Sequence, residues 1–209
     1  MTAVRERGFL VAVVGIDGAG KTTQVKALAE WLEGEGVNAH CLLNQTMLPV
    51  RQSLDRIALE DGFPGHLEMV GADAIRLISA CAKLAALARL EDTLRIPGTV
   101  TLVDRYTYCQ YAAVRLQKAD NEEFLRRLNR ALPEPDLILF LDVDPLEAQQ
   151  RIKKRGIDEE SLEFLSGYRA AYASLPEFTQ FTVVDGNGDH AAVQQLLRRQ
   201  VEERVLRAG

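Results

Sequence analysis

Five apolar runs punctuate the chain: FLVAVV at 9–14, AHCLL at 39–43, TVTLV at 99–103, DLILFLDV at 136–143 and FTVV at 181–184. Apolar runs of this length suit strands buried on both faces. Between them, helical spacing of apolar residues occurs near 21–33, 68–92, 105–118, 121–131, 144–155, 159–174 and 189–206. Strands alternating with helices predict an α/β fold, a five-stranded parallel sheet flanked by helices. In such sheets ligands gather at the carboxyl ends of the strands, so chemistry is sought there. The alanine-rich stretch GADAIRLISACAKLAALARLEDTL reads either as a closely packed core helix or as a homodimer interface.

Directly after the first apolar run comes GIDGAGKTTQ, from Gly15 to Gln24. It fits G-x-x-x-x-G-K-(S/T), with Gly15, Gly20, Lys21 and Thr22 at the fixed positions. In that P-loop pattern backbone N–H groups around Gly18, Ala19 and Gly20 wrap phosphates, and the helix start at Thr22 and Thr23 adds positive potential. Lys21 reaches the β and γ groups of a nucleoside triphosphate, and the Thr22 hydroxyl ligates Mg²⁺. A ligand-free glycine turn does not account for Lys21 and Thr22 together behind a strand. ATP and Mg²⁺ are the expected cofactors.

Three charged clusters lie at strand or helix ends. TVTLVDRY closes a strand with Asp104 and Arg105. There a carboxylate either holds Mg²⁺ or caps the next helix, and an adjacent arginine either clamps a phosphate in bidentate fashion or is solvated. Asp142 in LILFLDVD also ends a strand, but DVDP reads as a helix start with Asp144 as N-cap, so a structural role is preferred. RIKKRG gathers Arg151, Lys153, Lys154 and Arg155 before Gly156. Such a cluster complements a helix dipole or serves charge spread over a migrating phosphoryl group.

Composition narrows the partners. The net charge of −5 argues against a general nucleic-acid binder. Three widely spaced cysteines suggest neither a disulfide framework nor a metal site, which fits a reducing, cytoplasmic setting. FLVAVVG is too short for a signal core or a membrane span. With no repeat, low-complexity tract or linker, residues 1–209 read as a single domain.

The chain resembles the thymidylate kinase family of P-loop nucleoside monophosphate kinases. The matching segments are FLVAVVGIDGAGKTTQ, VDRYTYCQYA, PDLILFLDVDPLEAQQRIKKRG, SLEFLSGYRAAY and VVDGNGD. The resemblance implies a homodimer with a short lid near 151–160 that transfers the ATP γ-phosphate to a pyrimidine nucleoside 5′-monophosphate, dTMP by default. It implies that Asp104 organises Mg²⁺, and that Asp17, Arg105, Tyr106 and Gln110 serve the acceptor, with Ser79 and Lys83 as approximate counterparts of base-contacting residues. Some members carry a catalytic arginine where Gly18 stands, which moves that role to the lid, to Arg155 first and Arg151 second. The chain departs from the family on the acceptor side. NQTMLPVR replaces an EPGGT-like segment, Cys109 replaces a serine, and Ala113 and Val114 replace a tyrosine and a glutamine. A wider, less strongly stacking base pocket is expected. Other readings are a relative acting on a different acceptor, including a nucleoside hydroxyl with Asp17 as base, and a nucleotide-binding module with negligible transfer.

Overall fold

The computed structural model describes residues 6–43, 47–88, 90–156 and 159–207. Residues 44–46 of NQTMLPVR and 157–158 of the expected lid lie outside them. All five expected strands form: β1 (Phe9–Val14), β2 (Ala39–Leu42), β3 (Val100–Asp104), β4 (Leu137–Asp142) and β5 (Thr182–Asp185). They pair in parallel in the order β2-β3-β1-β4-β5. β1 is buried along its whole length because sheet neighbours flank it and helices cover both faces. The order reverses around β1, so the crevice at its carboxyl end opens between β3 and β4.

The helices follow the periodicity with instructive exceptions. α1 (Lys21–Gly34) starts inside the P-loop as expected. α2 (Leu48–Glu60) was not legible from spacing, because it lies on the surface with Ile57 and Leu59 exposed. Pro49 in its first turn is the signal that marks it. The single helix expected over 68–92 is three: α3 (His66–Val70), α4 (Ala72–Leu87) and α5 (Leu90–Leu94). Gly71 makes the first break, its φ of 80° and ψ of 154° ending one helix and starting the next.

α6 (Tyr108–Leu116) begins three residues later than the expected 105, because Arg105 is left-handed. α7 (Glu122–Leu128) runs into a 3₁₀ turn at 129–131. α8 (Pro145–Arg155) is capped by the Asp144 carboxylate, which accepts from the N–H groups of Leu146 and Glu147. α9 (Leu162–Ala173) starts from Ser161, whose hydroxyl accepts from Phe164 N–H. α10 (His190–Val201) is capped by Asp189 and widens into a π-helical turn at 202–206.

Candidate active site

The P-loop geometry follows from its glycines. Gly18 has φ 80°, and a Cβ there would lie 2.3 Å from the Ala148 carbonyl oxygen of α8. Only glycine lets the loop close against that helix, and an arginine here would push α8 away. Gly20 is the N-cap of α1 and brings no side chain to cap it, so the first-turn N–H groups stand open to an anion. Lys21 is 5% exposed and its Nζ donates to the Ile16 carbonyl at 2.6 Å. Burial, aided by the nearby Arg105 charge, pushes its pKa down to about 8 against the pull of Asp17 and Asp104.

The register of β1 and β3 sets Asp104 beside Val13, two residues before the loop begins. From there Asp104 Oδ2 accepts a 2.5 Å hydrogen bond from Thr22 Oγ1. Asp104 is 4% exposed, and among the described residues nothing partners its Oδ1. A buried carboxylate oxygen left unpaired costs free energy unless a ligand completes it. A hydroxyl and a carboxylate fit Mg²⁺, which takes oxygen ligands and commonly relies on one or two protein groups plus substrate phosphates. Consistent with so sparse a donor set, the described residues hold no cluster of three or more His, Cys, Asp or Glu that could cage a metal.

Arg105 has φ 64°, an uncommon conformation for a residue with a Cβ that costs about 1–3 kcal/mol. Its N–H donates to Val13 O at 2.9 Å, continuing the sheet, and its guanidinium donates to Asp17. Burial works against the Arg105 charge, but Asp17 together with Tyr168, Cys109 and Tyr172 outweighs it and lifts the pKa above the ordinary value. Burial likewise would raise the Asp17 carboxyl. Arg105, Lys21 and Arg155 overcome that and hold it below its ordinary value. The structure therefore brings Asp17, Lys21, Thr22, Asp104 and Arg105 together at the ends of β1 and β3.

On the other side of the P-loop lies a cleft of about 440 Å³, lined in part by Gly20, Thr23, Arg151, Lys154, Gly188 and His190. Arg151 pairs with Glu147 at 3.0 Å and donates to the carbonyls of Gly186 and Gly188, tying α8 to the loop after β5. Arg155 is exposed at the end of α8, and its charge reaches Asp17. The two lid candidates thus separate, Arg151 to the cleft wall and Arg155 toward the Asp17 side.

The residues expected at the acceptor scatter more widely. A small cavity at the end of β3 is lined by Leu42, Lys83, Leu87, Asp104 and Arg105 among others. Lys83 lines it, one helical turn after the half-buried Ser79 on α4. Tyr106 is buried and its hydroxyl donates to the Pro133 carbonyl, while Gln110 accepts from Asn129 Nδ2 at 3.2 Å. Val114, at 1% exposure, belongs to the core, and the half-buried Ala113 packs against it. Asp142 forms a two-point ion pair with Arg169 of α9 at 2.5 and 2.7 Å, which joins β4 to α9. Sequence reasoning missed Arg169, Tyr168 and Tyr172. Tyr168 donates to the Cys109 carbonyl at 2.8 Å, and both phenols lie close enough to Arg105 to act on its charge. Their i, i+4 spacing in GYRAAY was the available sign that one helix face turns inward.

A parallel sheet with a P-loop on its central strand, a Thr–Asp pair beside it and an arginine at the neighbouring strand end defines a P-loop phosphotransferase of the nucleoside monophosphate kinase class. The chain belongs to the thymidylate kinase family, whose model, described as "Thymidylate kinase", matches residues 13–197. It is 29% identical over 200 residues to the probable thymidylate kinase of Thermococcus kodakarensis, covering 93% of this chain and 97% of that one. It is 32% identical over 150 residues to the probable thymidylate kinase of Pyrococcus horikoshii, 72% of each chain. Identity to the thymidylate kinase of Afipia carboxidovorans is 29% over 214 residues, spanning 97% of this chain and 92% of the relative.

Proposed function

We propose that this kinase uses ATP and Mg²⁺ to phosphorylate a pyrimidine nucleoside 5′-monophosphate, with dTMP as default acceptor and dTDP as product. The observation that carries the reading is the unpartnered Oδ1 of Asp104, buried beside Thr22 and one residue from Arg105. The names of the relatives favour thymidylate over other acceptors. An oxygen of the acceptor phosphate attacks the γ-phosphorus in line, and the bond to the β–γ bridging oxygen breaks to release ADP. No covalent enzyme intermediate and no general base are needed, since that oxygen is anionic at neutral pH.

In this reading Lys21 neutralises charge between the β and γ groups, and the N–H groups of Gly18 through Thr23 hold the phosphates. Thr22 and Asp104 would hold Mg²⁺, which supplies charge neutralisation across the β and γ oxygens when bound. Arg105 exchanges the Asp17 carboxylate for the acceptor phosphate, and Arg155 meets the charge that develops during transfer. Arg151 holds the wall of the nucleotide cleft. A hydroxyl acceptor fits less well. It would need Asp17 as base, and a carboxyl held below its ordinary pKa is a weak one.

The reading includes a single domain acting as a homodimer. Exposed Ile57, Phe63, Leu67 and Leu77, on and between α2 and α4, supply apolar surface for a second copy. No described helix is long and apolar enough to cross a membrane. The test is ADP release with ATP and Mg²⁺ across nucleosides and nucleoside monophosphates, followed by kcat/KM for dTMP, UMP and CMP. Release with monophosphates, dTMP foremost, is expected. Release with nucleosides alone, or with neither, overturns the reading.

A further inference from the structure

Lys83 is 7% exposed, and among the described residues no carboxylate is paired with it. A buried lysine needs hydrogen-bond partners to offset its lost hydration, and its partners here are few. Its Nζ donates to the Tyr106 carbonyl at 3.3 Å and lies 3.6 Å from Cys109 Sγ. Cys109 Sγ donates to the same carbonyl at 2.9 Å. That carbonyl belongs to the residue after Arg105, whose left-handed backbone persists only while its surroundings enforce it. The Tyr106 hydroxyl is fixed in turn on Pro133.

We propose that Lys83 is a positioning residue: through the Tyr106 carbonyl it clamps the Asp104–Arg105–Tyr106 turn, and Cys109 is the second jaw. The clamp crosses from α4 to the end of β3, so α4 sets the aim of Arg105 at the acceptor phosphate without touching it. Lys83 then acts on every acceptor alike, whatever base it carries. The proposal rests on the acceptor-phosphate role of Arg105 given above.

The test compares wild type with Lys83→Met, which keeps the length and the apolar stem but donates no hydrogen bond. Acceptor KM should rise and kcat should fall by about tenfold or more, as small misplacements of reacting groups do, with KM for ATP within about twofold of wild type. The loss should be equal for dTMP, UMP and CMP. Cys109→Ala should repeat it more weakly, and Cys109→Ser, which still donates, should not. A loss confined to bases with a 4-keto group would overturn the proposal, because Lys83 would then read the base directly. A crystal structure of Lys83→Met should show Arg105 out of its left-handed conformation, and an unchanged Arg105 overturns the clamp. If wild type released no ADP with any monophosphate, the proposed function would fail while the crystal structure still decided the clamp.

Discussion

Thr22 and Asp104, 82 residues apart in sequence, share a 2.5 Å hydrogen bond that joins the start of α1 to the end of β3. The bond occupies one carboxylate oxygen and leaves the other buried, with no partner among the described residues. This contact separates Asp104 from Asp142 at the end of β4, both of whose oxygens are taken by Arg169.

Replacing each carboxylate should therefore have opposite signatures. Asp104→Asn should lower kcat by about a hundredfold or more, the scale on which lost electrostatic contacts act. It should also raise the Mg²⁺ concentration needed for half-maximal rate. Asp142→Asn should cost about 1 kcal/mol or less of stability, since its ion pair is partly solvated, and should leave kcat nearly intact. Steady-state kinetics with Mg²⁺ titration and thermal melts check the ranking, and a reversed order would unseat Asp104.

Lys21 links activity to pH. The folded protein holds this proton less tightly than the unfolded chain, where lysine titrates at 10.5. Between about 8 and 10.5 the unfolded state binds more protons, so the ligand-free protein should gain stability from this group as pH rises through that window. Phosphates placed beside Nζ favour the charged form. ATP binding at pH 8 should then take up protons, seen as binding heats that vary with buffer ionisation enthalpy. Lys21→Ala should remove the uptake, along with about a hundredfold or more of kcat.

Gly18→Ala tests the closure of the loop on α8. The new Cβ meets the Ala148 carbonyl, and the backbone is one that residues with a Cβ rarely adopt. A stability loss above about 1 kcal/mol is expected, together with a higher KM for ATP. Melting curves and ATP titrations measure both, and a silent substitution would show that the loop does not need this contact.

The two arginines in the last turns of α8 should divide kinetically. Arg155→Ala should act mainly on kcat, because its charge lies toward Asp17. Arg151→Ala should act mainly on KM for ATP, because it ties α8 to the loop at Gly186 and Gly188. Single-substrate titrations of both variants decide it, and interchanged effects would reverse the assignment.

Arg105→Lys should weaken binding of any nucleoside monophosphate, since an ammonium lacks the fork that grips a phosphate at two points. It should also loosen the hold on Asp17. Calorimetric titration with dTMP and with thymidine separates the effects. An equal loss for both ligands would contradict the phosphate role.

The inner strands β1, β3 and β4 were legible in sequence because strands buried on both faces need unbroken apolar runs, whereas the edge strands β2 and β5 pair into the sheet without that burial, Val183 of β5 being exposed. The P-loop was legible because phosphate wrapping depends on local backbone geometry, which a contiguous string of glycines and one lysine encodes. Gly71 hid its break, since a helical pattern reads across one glycine unless its φ is known. α2 escaped because a helix on the surface buries too little to show a stripe. The acceptor side was least legible of all. Nothing local in DRY distinguishes a solvated arginine from one locked left-handed against Asp17, and nothing in SACAK shows that Lys83 ends on the Tyr106 carbonyl. Those outcomes depend on strand register and on α4 bringing Lys83 to the turn after β3, relations between residues far apart in the chain. The sequence carries short-range chemistry in its order, and long-range placement emerges only when packing brings distant segments within reach.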